Sequence, residues 1–239
     1  MLIFAQSFIQ NFQKVFINND NWKYLSKGFS TTLKVTLFAF LIGLLLGIIL
    51  AVIRISHKDL KPSWATPSGF ILNLLNKIAS IYITIIRGTP TTIQLLIMFN
   101  VILIGLDNLR LVAIITFGLN SAAYMAEIFR SGIQAVSQGE KEAARSLGLS
   151  YLQTMQKITL PQAFKNCLPA FGNEVITLFK ETSISGFIGL IDLTRGANIL
   201  VSNTFQAALP YFAAALIYLI VVFGLERLFN LLEKRYLHA

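Results

Sequence analysis

Three charged side chains interrupt an otherwise apolar stretch between residues 166 and 191: Glu174, Lys180 and Glu181. A charged side chain is costly to place in lipid, so residues of this kind almost always face protein or water and mark functional sites. We therefore predict that these three charges face a polar cavity or a protein contact.

A polar helix face accompanies these charges. Spacings of seven, four and four residues place one set of side chains on the same side of a helix: Asn166, Asn173, Thr177 and Glu181. A zwitterionic solute that crosses a membrane needs an acceptor for its ammonium group and donors for its carboxylate. Asn173, Glu174 and Thr177 offer both kinds of group. The alternative is that these groups pair with each other or hold a contact between two chains.

Two further polar positions lie beside apolar runs. Glu127 offers a second carboxylate, although Arg130, three residues later, predicts an ordinary ion pair at a helix end. Arg87 opens the sequence Arg-Gly-Thr-Pro, in which the proline removes a helix donor and the glycine loosens the backbone. A helix broken there exposes backbone groups to a polar solute, and a purely structural kink is the alternative.

The composition places these residues in a membrane. Of the 239 residues, 55% are hydrophobic and only 13% are charged, whereas about a quarter of the residues of a soluble domain are charged. Long uncharged runs are typical of a polytopic membrane protein. The formal net charge is +9, but the bases are scattered between the runs rather than gathered on one face, so we expect no nucleic-acid binding.

Catalytic and metal chemistry is not expected. The chain has one cysteine, Cys167, and two histidines far apart in sequence, His57 and His238. One cysteine allows no internal disulfide, and the two histidines do not suggest a metal site. The sequence shows no clustered nucleophile and base, so we predict a protein that is not an enzyme.

Five membrane crossings are predicted within one transmembrane domain over residues 1–239. The expected spans are residues 30–54, 70–106 with a break, 111–130, 166–190 and 207–229. The segment 1–27 before them lacks the basic start and small-residue cleavage pattern of a signal peptide, so we expect it to be retained. Gly43 and Gly47 form a G-x-x-x-G pair that lets two helix backbones approach closely.

The broken span leaves two possibilities open. Residues 88–106 contain 19 uncharged positions, whereas the part before the break contains Lys77, so we expect residues 88–106 to make the crossing. Six crossings, with residues 70–86 spanning separately, are the alternative. If the polar loop 131–165 is cytoplasmic, thirteen Lys and Arg residues lie inside and seven outside. This bias predicts an external N-terminus and a cytoplasmic C-terminus.

The loop between the third and fourth expected spans is predicted to hold two short helices. Gly148 can adopt the left-handed conformation that ends a helix. Ser150, with Gln153 three residues later, fits a capping box that starts the next one, and Leu160 with Pro161 is expected to end it. Either a protein partner or the headgroups of the lipid bilayer would contact these helices.

The loop resembles the E-A-A…G…I-x-L-P loop of permease subunits from bacterial ABC importers. Seven matching positions lie within twenty residues: Glu142, Ala143, Ala144, Gly148, Ile158, Leu160 and Pro161. Other stretches resemble the polar amino acid branch of that family, the permeases for histidine, glutamine, arginine and glutamate: Arg87-Gly88-Thr89-Pro90 with Gln94, Ala123-Tyr124-Met125-Ala126-Glu127-Ile128 and Lys180-Glu181-Thr182-Ser183. The similarity covers roughly residues 28–235.

The resemblance implies an all-α type I importer permease fold of about five transmembrane helices with a cytoplasmic coupling helix, in a bacterial inner or plasma membrane. It also implies partners: a second permease subunit, two ATPase subunits, and an extracellular or periplasmic solute-binding protein that delivers a polar amino acid. In this family the E-A-A helix docks in a groove of the ATPase, so Glu142 would make a charge-assisted contact and Gly148 would set the turn.

Energy and substrate are expected to reach the chain through these partners. The sequence contains no G-x-x-x-x-G-K-[ST] phosphate-binding loop, so we expect ATP and Mg on the ATPase subunits and no cofactor or metal on this chain. The candidate pathway residues are Arg87, Gln94, Glu127, Asn173, Glu174, Thr177, Lys180 and Glu181. An ion-coupled secondary amino acid transporter is the alternative, but such proteins usually contain two repeated halves, and we find no repeat.

Overall fold

The computed structural model describes residues 9–237, and the regular elements in that range are helical. The expected all-α class is therefore confirmed. The α-helices are α1 (Trp22–Leu60), α2 (Pro67–Arg87), α3 (Thr91–Ile97), α4 (Leu109–Gln134), α5 (Gln138–Ser146), α6 (Tyr151–Thr154), α7 (Leu160–Glu181), α8 (Leu193–Thr204) and α9 (Ala208–Leu237). Short π or 3-10 segments lie at Gln13–Ile17, Asn18–Asp20, Met98–Ile102, Met155–Thr159 and Thr182–Ile188. Expectations about the first residues and about His238 fall outside the described range.

Four helices are long and apolar enough to cross a membrane: α1, α2, α4 and α9. A fifth span results if the helical stretch Tyr151–Ile188 is taken together with α8, to which it is bent by 49°. The expected number of about five spans is therefore met. Helix α1 has 39 residues and exceeds its predicted bounds at both ends, so the last part of segment 1–27 is helical.

In the broken span, the segment before the break is the one long enough to cross a membrane, whereas we expected the segment after it. Helix α2 has 21 residues and passes as a span, whereas the helix after the break, Thr91–Ile102, is shorter. Twelve residues rise only about 18 Å, against a hydrocarbon core of about 30 Å. The prediction underrated the segment before the break because Thr66 caps α2 ahead of the apolar run and Lys77 is accommodated at the exposed helix surface.

Leu160 and Pro161 do not end a helix, contrary to the prediction. Helix α6, the π turn Met155–Thr159 and α7 form one helical stretch. In the π turn, the amide of Leu160 donates to the carbonyl of Met155. The wider π turn makes room for the ring of Pro161, which in a regular α-helix would clash with the carbonyl four residues earlier.

The chain divides into two compact units, of which the first contains the described part of residues 1–39 together with 91–117 and 177–224. Its core packs Leu193 and Leu200 of α8 against Val15 and Leu25. A Cβ on Gly28 would lie 2.4 Å from the carbonyl oxygen of Asp192. The backbones of α1 and α8 therefore touch here, and only glycine fits.

The second unit contains residues 40–90 and 118–176 together with the described part of residues 225–239. The G-x-x-x-G pair of α1 packs on α4: a Cβ on Gly43 would lie 2.7 Å from Cβ of Ser121, and one on Gly47 would lie 2.4 Å from Cβ of Met125. The close approach therefore occurs between two helices of the same chain. Cys167 is buried in a cluster with Met125 and Phe171.

Candidate functional site

The loop between α4 and α7 has the two-helix form that its sequence predicts. Gly148 adopts φ +88°, the left-handed conformation, directly after α5. The hydroxyl of Ser150 accepts from the amide of Gln153, and the Gln153 side chain accepts from the amide of Ser150 at 2.8 Å. The bend and the capping box are thus confirmed, and together they fix the angle between α5 and α6.

Three side-chain hydrogen bonds tie this loop to longer helices of the same unit. The hydroxyl of Tyr151 donates to Oδ2 of Asp59, near the end of α1, at 2.7 Å. Nζ of Lys141 donates to the carbonyl of Ile133, near the end of α4, at 3.3 Å. Gln162 of α7 donates to Glu140 of α5. These bonds connect α5 to α4 and α7, and α6 to α1.

The exposed side chains of the loop include one carboxylate and several apolar residues. Glu142 is exposed and accepts from Nε2 of Gln138 at 3.0 Å. Leu147 and Leu152 are 83% and 67% exposed, whereas Ala144 is buried. Ala143, Gly148, Leu160 and Pro161 are also exposed, and Ile158 is half-buried. An apolar surface next to a charge that can pair is typical of a protein contact.

Glu127 belongs to a charge network between the C-terminal parts of α1 and α4. Its carboxylate accepts from Nε of Arg130 at 2.9 Å and lies 3.7 Å from Nη1 of Arg54. Arg130 also donates to Gln134 at 2.7 Å. The expected pair with Arg130 is present, but Arg54, 73 residues earlier in the sequence, makes it a three-charge cluster.

Glu174 is held by a serine of another helix. The hydroxyl of Ser121 donates to Oε1 of Glu174 at 2.7 Å, which joins α4 to α7 within the second unit. Asn173 and Thr177 are exposed on α7, while Glu174 is half-buried beside them. The predicted polar face of α7 therefore lies at the surface of this chain, where a solute or a second chain can reach it.

The remaining pathway candidates are Arg87, Gln94, Lys180 and Glu181, and two of them contact residues of other helices. The guanidinium carbon of Arg87 stands 5.3 Å from the ring centroid of Tyr124, a cation–π contact. In the first unit, Thr91 donates to Oε2 of Glu181 at 3.5 Å. Lys180 is exposed and Gln94 is half-buried.

The partners Ser121, Tyr124 and Arg54 did not emerge from the sequence as site residues. One signal was available for Ser121: it follows Asn120 inside an apolar helix, and both are buried. A polar pair that is buried in a membrane helix needs hydrogen-bond partners, which would have drawn attention to α4.

Residues 65–238 match the family described as "Binding-protein-dependent transport system inner membrane component". The chain belongs to this family. The match includes the loop motif and every predicted pathway residue. It makes the chain a multi-pass membrane permease, in agreement with the apolar helices.

Relatives within the inner membrane component family are permeases of amino acid importers. The "Probable amino-acid ABC transporter permease protein YckA" of Bacillus subtilis is 35% identical over 221 residues, which cover 92% of both chains. The "Arginine transport system permease protein ArtQ" of Bacillus subtilis is 41% identical over 165 residues, 66% of this chain and 74% of that relative. The "Glutamine transport system permease protein GlnP" of Escherichia coli is 34% identical over 166 residues, 68% and 76% of the two chains.

Solved structures of this type share the fold. A chain of the "Crystal structure of an amino acid ABC transporter with histidines" has a TM-score of 0.79 at 38% identity, covering 89% of this chain and 94% of that one. A chain from "Inward facing conformations of the MetNI methionine ABC transporter" has a TM-score of 0.72 at 19% identity, covering 92% and 99%, and supports the fold alone. The expected permease fold is therefore confirmed.

Proposed function

We propose that this chain carries a polar amino acid into the cell as the membrane subunit of an ABC importer, driven by ATPase subunits that dock on the loop Glu142–Pro161. The observation that supports this most is the build of the loop, which exposes a carboxylate and two leucines. Behind them, hydrogen bonds connect the loop to α1, α4 and α7. Such a segment can pass force from a separate protein into membrane helices.

The proposed assembly contains two permease subunits, two ATPase subunits that bind ATP and Mg, and an external solute-binding protein. When the ATPase pair closes, the docked α5 helices move together and the membrane helices rock between outward-open and inward-open states. With α1, α2, α4, α7 and α9 as the spans, the number of crossings is odd, so the two termini lie on opposite sides of the membrane. The bias of Lys and Arg supports an external N-terminus and a cytoplasmic C-terminus.

The proposed substrate contacts lie on α7. Glu174, held by Ser121, would accept hydrogen bonds from the ammonium group, and the exposed amide of Asn173 and hydroxyl of Thr177 would donate to the carboxylate. The similarity to permeases named for amino acids supports this substrate class.

Two loop variants test the docking role. In proteoliposomes that contain the full transporter, we expect Glu142→Lys and Gly148→Asp to reduce ATP-driven uptake to background, because the first reverses the docking charge and the second places a side chain on a left-handed backbone. Glu233→Lys, at the far end of α9, is the matched control and should retain uptake.

Insertion and uptake are measured together. Both loop variants should reach the membrane at the parent level, which separates loss of coupling from loss of folding. Uptake at the parent rate in both variants would refute docking through this loop. Uptake without ATP that vanishes when ion gradients are collapsed would instead indicate secondary transport.

A further inference from the structure

A basic recess lies where α1 ends and α2 begins, outside the loop and the pathway described above. It is an open cavity of about 780 Å³. Its basic lining comes from three lysines and a histidine: Lys58, Lys61, Lys77 and His57. None of the described residues that line it is acidic, although Lys58 also lines a neighbouring cavity with Asp59 and Glu142. The recess is therefore a basic surface that suits an anion.

The floor of the recess is fixed by a buried amide. Asn73, only 5% exposed, donates through Nδ2 to the carbonyl of Pro62 at 3.1 Å. Its Oδ1 must then accept from Nε2 of His57, at 2.8 Å. Asn73 thus joins α1, the connecting loop and α2, so the basic side chains project from a rigid frame.

The cations are not explained by helix ends alone. His57 and Lys58 lie in the last turn of α1, where positive charge complements the helix dipole. Lys77 does not fit that explanation, because it lies in the interior of α2, about 15 Å along the helix from Pro67. A lysine at that depth needs an anion or must reach toward the interface.

Lys77 shares the recess with polar side chains, and the helix face beside it is apolar and open. Its neighbours on α2, Leu74, Ile78 and Ile81, are 44%, 56% and 50% exposed. Trp64, 60% exposed, also lines the recess and stacks edge-on against Phe70 at 5.8 Å. Tryptophan at a membrane interface commonly sits at the level of the headgroups.

We propose that this recess binds the headgroup of an anionic phospholipid, with the acyl chains lying along the exposed isoleucines of α2. The charge of the recess fits a phosphate, and its continuity with an open apolar helix face favours a lipid over a soluble phosphate. The recess contains no residue of the loop or of the substrate face of α7, although Lys58 also lines the neighbouring cavity that contains Glu142. Lipid binding at Trp64 can therefore be tested without measuring transport.

Tryptophan fluorescence reports on this site directly. The chain has two tryptophans, and the exposed Trp22 can be replaced, so the full chain with Trp22→Phe carries Trp64 alone. We reconstitute it in phosphatidylcholine vesicles with a rising fraction of phosphatidylglycerol, and one of the two lipids carries brominated acyl chains that quench tryptophan on contact. Quenching gives the relative affinity of the two lipids at Trp64, and we expect about a tenfold or greater preference for phosphatidylglycerol.

Two triple variants make the result specific. The first triple variant combines Lys58→Gln, Lys61→Gln and Lys77→Gln, and it should reduce the preference for phosphatidylglycerol to about one. The single variant Lys77→Gln should reduce that preference by about fivefold. Lys157→Gln, Lys165→Gln and Lys234→Gln remove the same charge elsewhere and should leave it unchanged. Equal quenching by both lipids in the parent chain, or equal loss in both triple variants, would overturn the proposal. Displacement by inorganic phosphate, but not by chloride at the same ionic strength, would overturn the lipid assignment in favour of a soluble anion, because both salts screen charge equally.

Discussion

At the scale of single residues, Glu174 is the side chain on which substrate recognition is most directly testable. It is half-buried in α7, whose helical stretch, taken together with α8, is long and apolar enough to cross a membrane. The hydroxyl of Ser121 donates to it at 2.7 Å. A carboxylate retained at such a position is expected to have a function because of its cost. In our account that function is to bind the ammonium group of the amino acid.

Replacing Glu174 with glutamine removes the charge and keeps the shape. We expect the KM for uptake to rise about tenfold or more, because a hydrogen bond to a charged group is worth about 1.5–3 kcal/mol. Ser121→Ala, which removes the partner but retains the charge, should have a smaller effect. Initial uptake rates over a range of amino acid concentrations give both values. An unchanged KM in Glu174→Gln would remove this residue from the pathway.

The site residues were predictable by type but their partners were not. Glu174, Glu127 and Arg87 attract attention in the sequence because charge is rare in apolar runs. Their contacts with Ser121, Arg54 and Tyr124 join positions 37 to 73 residues apart. Such contacts depend on how helices pack, which hydropathy does not encode.

At the scale of elements, the packing of α1 on α4 depends on Gly43 and Gly47. A Cβ on Gly47 would meet the side chain of Met125 at 2.4 Å, whereas nothing lies within 4 Å of a Cβ on Gly224 in α9. Gly47 and Gly224 therefore make a matched pair of test sites: both lie in helices, and only Gly47 is required by packing.

Gly47→Ala should destabilise the permease by about 1–3 kcal/mol, the usual cost of overpacking. Gly224→Ala should be neutral or stabilising by up to about 1 kcal/mol, because alanine favours the helix. Thermal unfolding of the purified chain in detergent measures both. Equal midpoints for the two variants would show that α1 and α4 do not pack as described.

Element boundaries were less predictable than element types. The helices, the glycine bend and the capping box followed from local sequence, because each depends on residues within one or two turns. Two features did not follow from local sequence: α2 is a span, and the helix continues through Pro161. The first depended on an exposed lysine at the helix surface, and the second on a π turn that local propensity does not predict.

At the scale of the whole molecule, the account requires the loop Glu142–Pro161 to be in the cytoplasm and to touch another protein. The apolar helices supply lipid-facing surface: only 11% of the most apolar window of α9 is buried within the chain, against 67% for α4. The loop instead presents a carboxylate with two open leucines. The bias of Lys and Arg predicts that this loop is cytoplasmic.

A single introduced cysteine tests this claim most directly. The one native cysteine, Cys167, is buried, so Leu147→Cys, at a position 83% exposed, provides one accessible thiol. In cells that express the full transporter, we predict that this thiol resists a membrane-impermeant maleimide added outside and cross-links to the ATPase subunit. Phe212→Cys, at the start of α9, is the control and should react from outside without that cross-link. Labelling of Leu147→Cys from outside, with no ATPase cross-link, would contradict the account.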